Sequence, residues 1–235
     1  ILQTAGFKTE GFVPLSDRAH RWAHLPMEEV LLHLNGVSAE IFFGNLENSP
    51  KLIVPTDHAI LERAFGKFQS HTRSFNANSA TIFGYGLFEF LNRIPHDPKF
   101  ICLEITEHGG GRPDGRNLKN LEKLKNAGYG IAVDDFDPRI ASEWDRLGEL
   151  AFFADIIKFP YQITEVLRHG GKQDIADIIL LTEEVRREYP EIFLVMEGVR
   201  ATDAYLIPDL KKMGIDIYQK SPYGDPELIA AHTAA

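Results

Sequence analysis

The chain has 235 residues, 44% of them hydrophobic, a net charge of -9 at pH 7 and a single cysteine. That length and apolar fraction suit one large domain with a full core and exclude a disordered or low-complexity chain. The acidic balance excludes a surface that attracts nucleic acid as a whole, and no apolar run is long enough to span a membrane, so a polyanionic substrate would need a local basic pocket or a bound cation.

In chain order, Phe7 to Leu15 and Glu29 to Leu34 read as strands. Asp57 to Ser70 reads as a helix with Thr56 as its N-cap, followed by a strand at Arg73 to Ala77 and a short helix at Tyr85 to Asn92. Lys99 to Ile105 is strand-like, and Asn117 to Asn126 is a helix stopped at Ala127-Gly128. Strands at Gly130 to Phe136, Asp155 to Phe159, Ile192 to Glu197 and Ile215 to Gln219 alternate with helices at Ile140 to Leu150, Asp174 to Glu188 and Thr202 to Met213. Such alternation implies right-handed βαβ crossovers and a parallel sheet, and about eight strands fit a β/α barrel better than an open sheet. Without an internal repeat or a Gly/Ser-rich linker, residues 1–235 read as one domain. Cys102 lies in an apolar strand and reads as a packed thiol, with a reducing cytoplasm as the expected compartment. A start at Ile1 suggests an excised domain, so the lack of a leader carries no weight. The Gly109-Gly110-Gly111-Arg112-Pro113 stretch lacks the Lys-Ser/Thr of a phosphate loop and receives no phosphate role.

The informative feature is the placement of the acids. Glu29 opens an early strand, Glu104 interrupts an apolar one, Asp134 and Asp135 end another, Lys158 ends a third and Glu197 a fourth. Strand alternation puts Cys102, Glu104 and Thr106 on one face. Any one of these acids alone is more often a cap or a surface ion pair. Together they mark the carboxyl ends of successive strands, where barrel active sites are built. Several inward carboxylates repel one another, and a divalent cation with hard oxygen ligands resolves that repulsion. The pattern alone leaves open metal-assisted phosphoryl chemistry and a metal-dependent enolising barrel with Lys158 as base.

At these residues the sequence resembles the EAL phosphodiesterase family. Glu29-Val30-Leu31-Leu32-His33 is similar to its Glu-Ala-Leu-Leu-Arg signature, and Phe75-Asn76-Ala77-Asn78 to the strand with its metal-binding asparagine. Leu103-Glu104-Ile105-Thr106-Glu107, Ile131 to Phe136, Asp155 to Lys158, Met196 to Val199 and Met213 to Gln219 resemble the later segments in the family's order. The resemblance implies a modified (β/α)8 barrel with one antiparallel strand and hydrolysis of cyclic di-GMP to the linear dinucleotide pGpG in second-messenger signalling, with Mg²⁺ or Mn²⁺ as one or two ions. Carried over by position, Glu29, Asn76, Glu104 and Asp134 hold the first ion, and Asp134 and Asp135 the second, with Glu197 close to both. Lys158 orients the attacking water, Glu107 braces the loop after Asp135, and His33 and Gln219 lie at the substrate. A homodimer and an upstream sensory domain are also implied; polymeric nucleic acid and membrane contact are not.

The sequence departs from the family where His33 replaces an arginine, where Asp137-Pro138-Arg139-Ile140-Ala141-Ser142 replaces a Gly-Thr-Gly-Tyr-Ser-Ser loop, and at Pro160, Arg200 and Lys220. Histidine lacks the bidentate fork of arginine and is largely neutral at pH 7. His33 and the altered loop favour the alternative of a weak or inactive EAL domain used as a cyclic di-GMP sensor or protein-interaction module, whereas Arg139, Arg200 and Lys220 are open to two readings, compensating positive charge or drift. The retained acids favour the enzyme.

Overall fold

The computed structural model describes residues 6–21, 26, 28–33, 42, 45–46, 49–67, 72–84, 86–106 and 118–220. Its strands are β1 (Gly6–Pro14), β2 (Glu28–His33), β3 (Arg73–Asn78), β4 (Ile101–Thr106), β5 (Gly130–Val133), β6 (Ile156–Phe159), β7 (Phe193–Val199) and β8 (Ile217–Lys220). They follow one another in chain order around a closed barrel. β1 runs antiparallel to β8, with Phe12 opposite Gln219, whereas β2–β3, β3–β4, β6–β7 and β7–β8 are parallel pairs. The expected barrel with one antiparallel strand is therefore present. The chain divides into two compact units, one of Ile1–Thr9 with His24–Ala132 and one of Glu10–Ala23 with Val133–Ala235.

In the first unit, β3 and β4 pair along their whole length. Helix α2 (Ile53–Lys67) buries Leu61, Ala64 and Phe65, a spacing of three and four that makes one apolar stripe, and Phe65 meets Phe75 edge-on. The helix starts four residues before the sequence suggests, so Thr56 is an interior residue and not a cap. Pro55 permits this, because a first-turn proline lacks an N–H that has no intrahelical partner anyway. Asp57 turns inward and accepts hydrogen bonds from the Asn78 N–H (2.8 Å), Asn78 Nδ2 (2.9 Å) and Thr81 Oγ1 (2.6 Å). Burial pushes its carboxyl above the ordinary range, while those donors pull the other way. Helices α3 (Ser79–Phe83) and α4 (Leu87–Leu91) follow β3, and α5 (Leu118–Ala127) precedes β5.

In the second unit, α1 (Asp17–Arg21) follows β1, and α6 (Ala141–Leu150) leads into β6, whose four residues are all buried. Helix α7 (Tyr161–His169) buries Ile163, Thr164 and Leu167, and α8 (Lys172–Glu188) buries Ile178, Thr182 and Val185. The helix expected over Thr202 to Met213 is two pieces: a 3-10 turn at Ala201–Leu206 and α9 (Ile207–Lys212), whose Pro208 suits a first turn and not a helix interior. Two strand ends also move. β5 stops at Val133 because Asp135 adopts φ 51°, outside the strand region. β7 runs on past Glu197 through Gly198 to Val199, with an irregular register against β8 between Met196 and Val199.

Truncating Asp57 to alanine leaves buried donors at Asn78 and Thr81 without an acceptor. The expected loss of stability is about 1–3 kcal/mol, read as a lowered urea midpoint with unchanged slope. An unchanged midpoint would remove this anchor from the account of β3.

Candidate functional site

The first unit gathers three of the expected ligands. Parallel pairing sets Asn76 directly opposite Glu104 and Glu29 opposite Ser74. Glu29 is 3% exposed and Glu104 is fully buried at 0%. Asn76 Nδ2 donates to Glu29 Oε1 at 2.6 Å, and Asn76 Oδ1 accepts no hydrogen bond. The amide oxygen thus keeps its lone pairs for another partner. Because Asp57 holds the Asn78 N–H and side chain, the end of β3 that carries Asn76 is tied to α2. His33 is the last residue of β2; its side chain, like the whole of Glu107, lies outside the described residues.

The second unit brings Lys158, Asp134 and Glu197 together. Lys158 is 1% exposed, and its Nζ lies 2.7 Å from Glu197 Oε1 and 3.0 Å from Asp134 Oδ1. Asp134 Oδ1 accepts no directed hydrogen bond, so that contact is one of charge and not of aligned donor and lone pair. A buried ammonium needs such anionic partners, because its desolvation otherwise costs several kcal/mol on the order usual for buried ions. The corner after β5 is held at both ends: the Phe136 N–H donates to the Lys158 carbonyl at 2.9 Å, and Arg146 Nη2 donates to the Asp134 carbonyl at 2.8 Å. Between them Asp135 takes its left-handed conformation, which aspartate tolerates better than most residues. Gln219 Nε2 donates to Glu10 Oε2 at 2.9 Å. Nothing in the sequence singles out Glu10, one acid in a strand of mixed polarity.

The departures from the EAL pattern acquire local explanations. Asp137 accepts from both the backbone and the guanidinium of Arg139. Burial raises the Asp137 carboxyl, but Arg139 outweighs it and holds the group below the ordinary range. Trp144 Nε1 donates to the Pro138 carbonyl at 2.8 Å, and its ring stands edge-on to Phe136. The altered loop is therefore a folded turn. Arg200 pairs with Glu165 at 2.8 Å, and Lys220 ends β8 exposed. Pro160 is buried at the start of α7, where its missing N–H costs nothing. That helix escaped the sequence analysis, although Ile163, Val166 and Leu167 carry the three-and-four spacing that marks one.

The donors fit a hard divalent cation in kind: carboxylates and an amide oxygen, with neither thiolate nor imidazole among them. Among the described residues, no group of three or more His, Cys, Asp or Glu side chains already forms a metal cage. No helix of the described residues is long and apolar enough to cross a membrane.

No family model matches the chain. It is 27% identical over 195 residues to the cyclic di-GMP phosphodiesterase PdeB of Shewanella oneidensis, a match covering 77% of this chain and only 22% of that protein. Among solved structures, the EAL enzyme Bd1971, bound to cAMP and cyclic di-GMP, superposes with a TM-score of 0.70 at 17% identity, over 93% of this chain and 61% of that one. BlrP1 of Klebsiella pneumoniae, in a complex with manganese and cyclic di-GMP, superposes with a TM-score of 0.64 at 21% identity, over 92% of this chain and 54% of that one. The chain shares the closed mixed barrel of these EAL structures and is similar in sequence to PdeB.

Proposed function

We propose that residues 1–235 act as a single EAL barrel domain that hydrolyses cyclic di-GMP to pGpG with the help of Mg²⁺ or Mn²⁺. The observation that carries this reading is the Lys158 ammonium, buried between Asp134 and Glu197. The likeness to PdeB, and the cyclic di-GMP carried by Bd1971 and BlrP1, support the substrate. Glu29, Asn76, Glu104 and Asp134 would hold one ion, and Asp134 and Asp135 a second. Bound cations neutralise a phosphodiester and lower the pKa of a water molecule. Lys158 donates a hydrogen bond that orients the attacking water, and Glu197 keeps that ammonium in place and takes the proton that the water gives up as its oxygen bonds to phosphorus and the P–O bond to the leaving ribose oxygen, which is protonated in turn, breaks. Glu107 braces the loop after Asp135, while His33 and Gln219 face the substrate. The domain works in the cytoplasm, takes its input from an upstream sensory domain and pairs as a homodimer.

A second reading is binding without turnover. It is favoured by Lys158 lying against Asp134, where an ammonium competes with a divalent ion for the same carboxylate. Incubation with cyclic di-GMP and saturating Mn²⁺, followed by chromatography, separates the two. The enzyme should yield linear product in wild type and not in Glu29→Ala or Lys158→Ala. Product no higher than in those variants would leave the sensor.

Two further outcomes are expected. Calorimetry with Mn²⁺ should show binding that Glu104→Ala abolishes, and equal binding by both would detach Glu104 from the ion. His33→Arg should tighten cyclic di-GMP binding by roughly 1–2 kcal/mol, the scale of one charge-assisted hydrogen bond. No gain in a titration would mean that another group already grips the phosphate.

A further inference from the structure

We propose that Thr164 and Arg168 of α7 are positioning residues that aim the Glu197 carboxylate at Lys158. The inference rests on the reading of Lys158 and Glu197 as the pair that handles the water.

Buried backbone carbonyls need donors, and in a strand the neighbouring strand normally supplies them. β7 breaks that pattern at the critical point, since its register against β8 is irregular between Met196 and Val199. Within this interval the carbonyls turn to a helix instead. Thr164 Oγ1 donates to the Glu197 carbonyl at 2.6 Å, and Arg168 Nη2 donates to the Gly198 carbonyl. Both donors are fixed. Thr164 is fully buried at 0% exposure. The Arg168 side chain is 3% exposed and is held by Asp203, whose carboxylate also accepts the Arg200 N–H at 2.8 Å.

Gly198 makes the arrangement possible. Its φ of +71° belongs to the left-handed region, and a Cβ there would lie 2.7 Å from the Tyr161 Cβ at the start of α7. The strand backbone thus rests directly on the helix. With the carbonyls of two successive peptides, Glu197–Gly198 and Gly198–Val199, held by α7, the backbone has little freedom to rotate there, which sets the direction in which the Glu197 Cα–Cβ bond points. That direction places Oε1 2.7 Å from Lys158 Nζ. The hydroxyl of Thr164 acts on the carboxylate through the backbone and touches neither Lys158 nor substrate.

The test compares wild type with Thr164→Val, which keeps the shape and removes the hydroxyl, and with Thr164→Ser, which restores it. The first measurement uses no substrate: the ¹H–¹⁵N signal of the Lys158 ammonium. It should shift and broaden in Thr164→Val and return in Thr164→Ser; an identical signal in all three chains overturns the proposal. The second uses cyclic di-GMP and Mn²⁺. Here kcat should fall about tenfold in Thr164→Val with KM within about twofold, because misplacing a reacting group loses rate more than binding. A change confined to KM also overturns it. Should Thr164→Val not fold, Arg168→Lys keeps the charge opposite Asp203 while losing the fork to Gly198, and the same two readouts apply. If wild type gives no product, the phosphodiesterase reading fails by itself, and the ammonium signal still decides the role of Thr164.

Discussion

A buried ammonium is the constraint around which the second unit is arranged. Lys158 is buried in its strand, and an ammonium taken out of bulk solvent is stabilised by anions placed beside it. Two are there, from the end of β5 and from β7. Each of those carboxylates is in turn secured through its backbone: Asp134 by Arg146 on its carbonyl, and Glu197 by Thr164 on its own. The helices between the strands therefore fill the core with leucine and isoleucine and also send a polar group inward to hold the site. In the first unit α2 does the same with Asp57, whose carboxylate ties down the end of β3.

Much of this was legible in the sequence, and the reason is period. β4 and β6 are short apolar runs interrupted by a single charged residue, and a charge in such a run has few explanations in a barrel. Helices α5, α6 and α8 repeat apolar residues at three and four, and each was found within two residues of its bounds. The failures have local causes. Thr56 read as an N-cap, yet it lies inside a helix that begins at Ile53, with Pro55 harmless in its first turn. The Asp134-Asp135 pair looked like the tail of a strand, but the left-handed turn at Asp135 depends on Lys158 and Arg146, which come from elsewhere in the chain. Glu10 gave no signal at all, since one acid in a polar strand is indistinguishable from a solvated one.

The loop after Phe136 shows how a lost sequence signature need not mean lost structure. Neither glycine of the EAL pattern is present, and Asp137 and Arg139 stand in their places. The turn is nevertheless closed by the Ile140 N–H on the Asp137 carbonyl at 3.0 Å and by the Arg139 pair with Asp137. The turn is thus closed by hydrogen bonds and calls on no glycine.

That turn carries its own optical probe. The chain has two tryptophans, and one of them, Trp144, packs edge-on to Phe136 and hydrogen-bonds the Pro138 carbonyl. Its indole is attached to the segment that follows Asp134 and Asp135, so a rearrangement of that acidic corner alters both its ring packing and its N–H bond. Indole emission is sensitive to such changes in polarity and hydrogen bonding. A movement of that corner can therefore be followed without a dye or an isotope, by the light of a residue that the fold already keeps beside it.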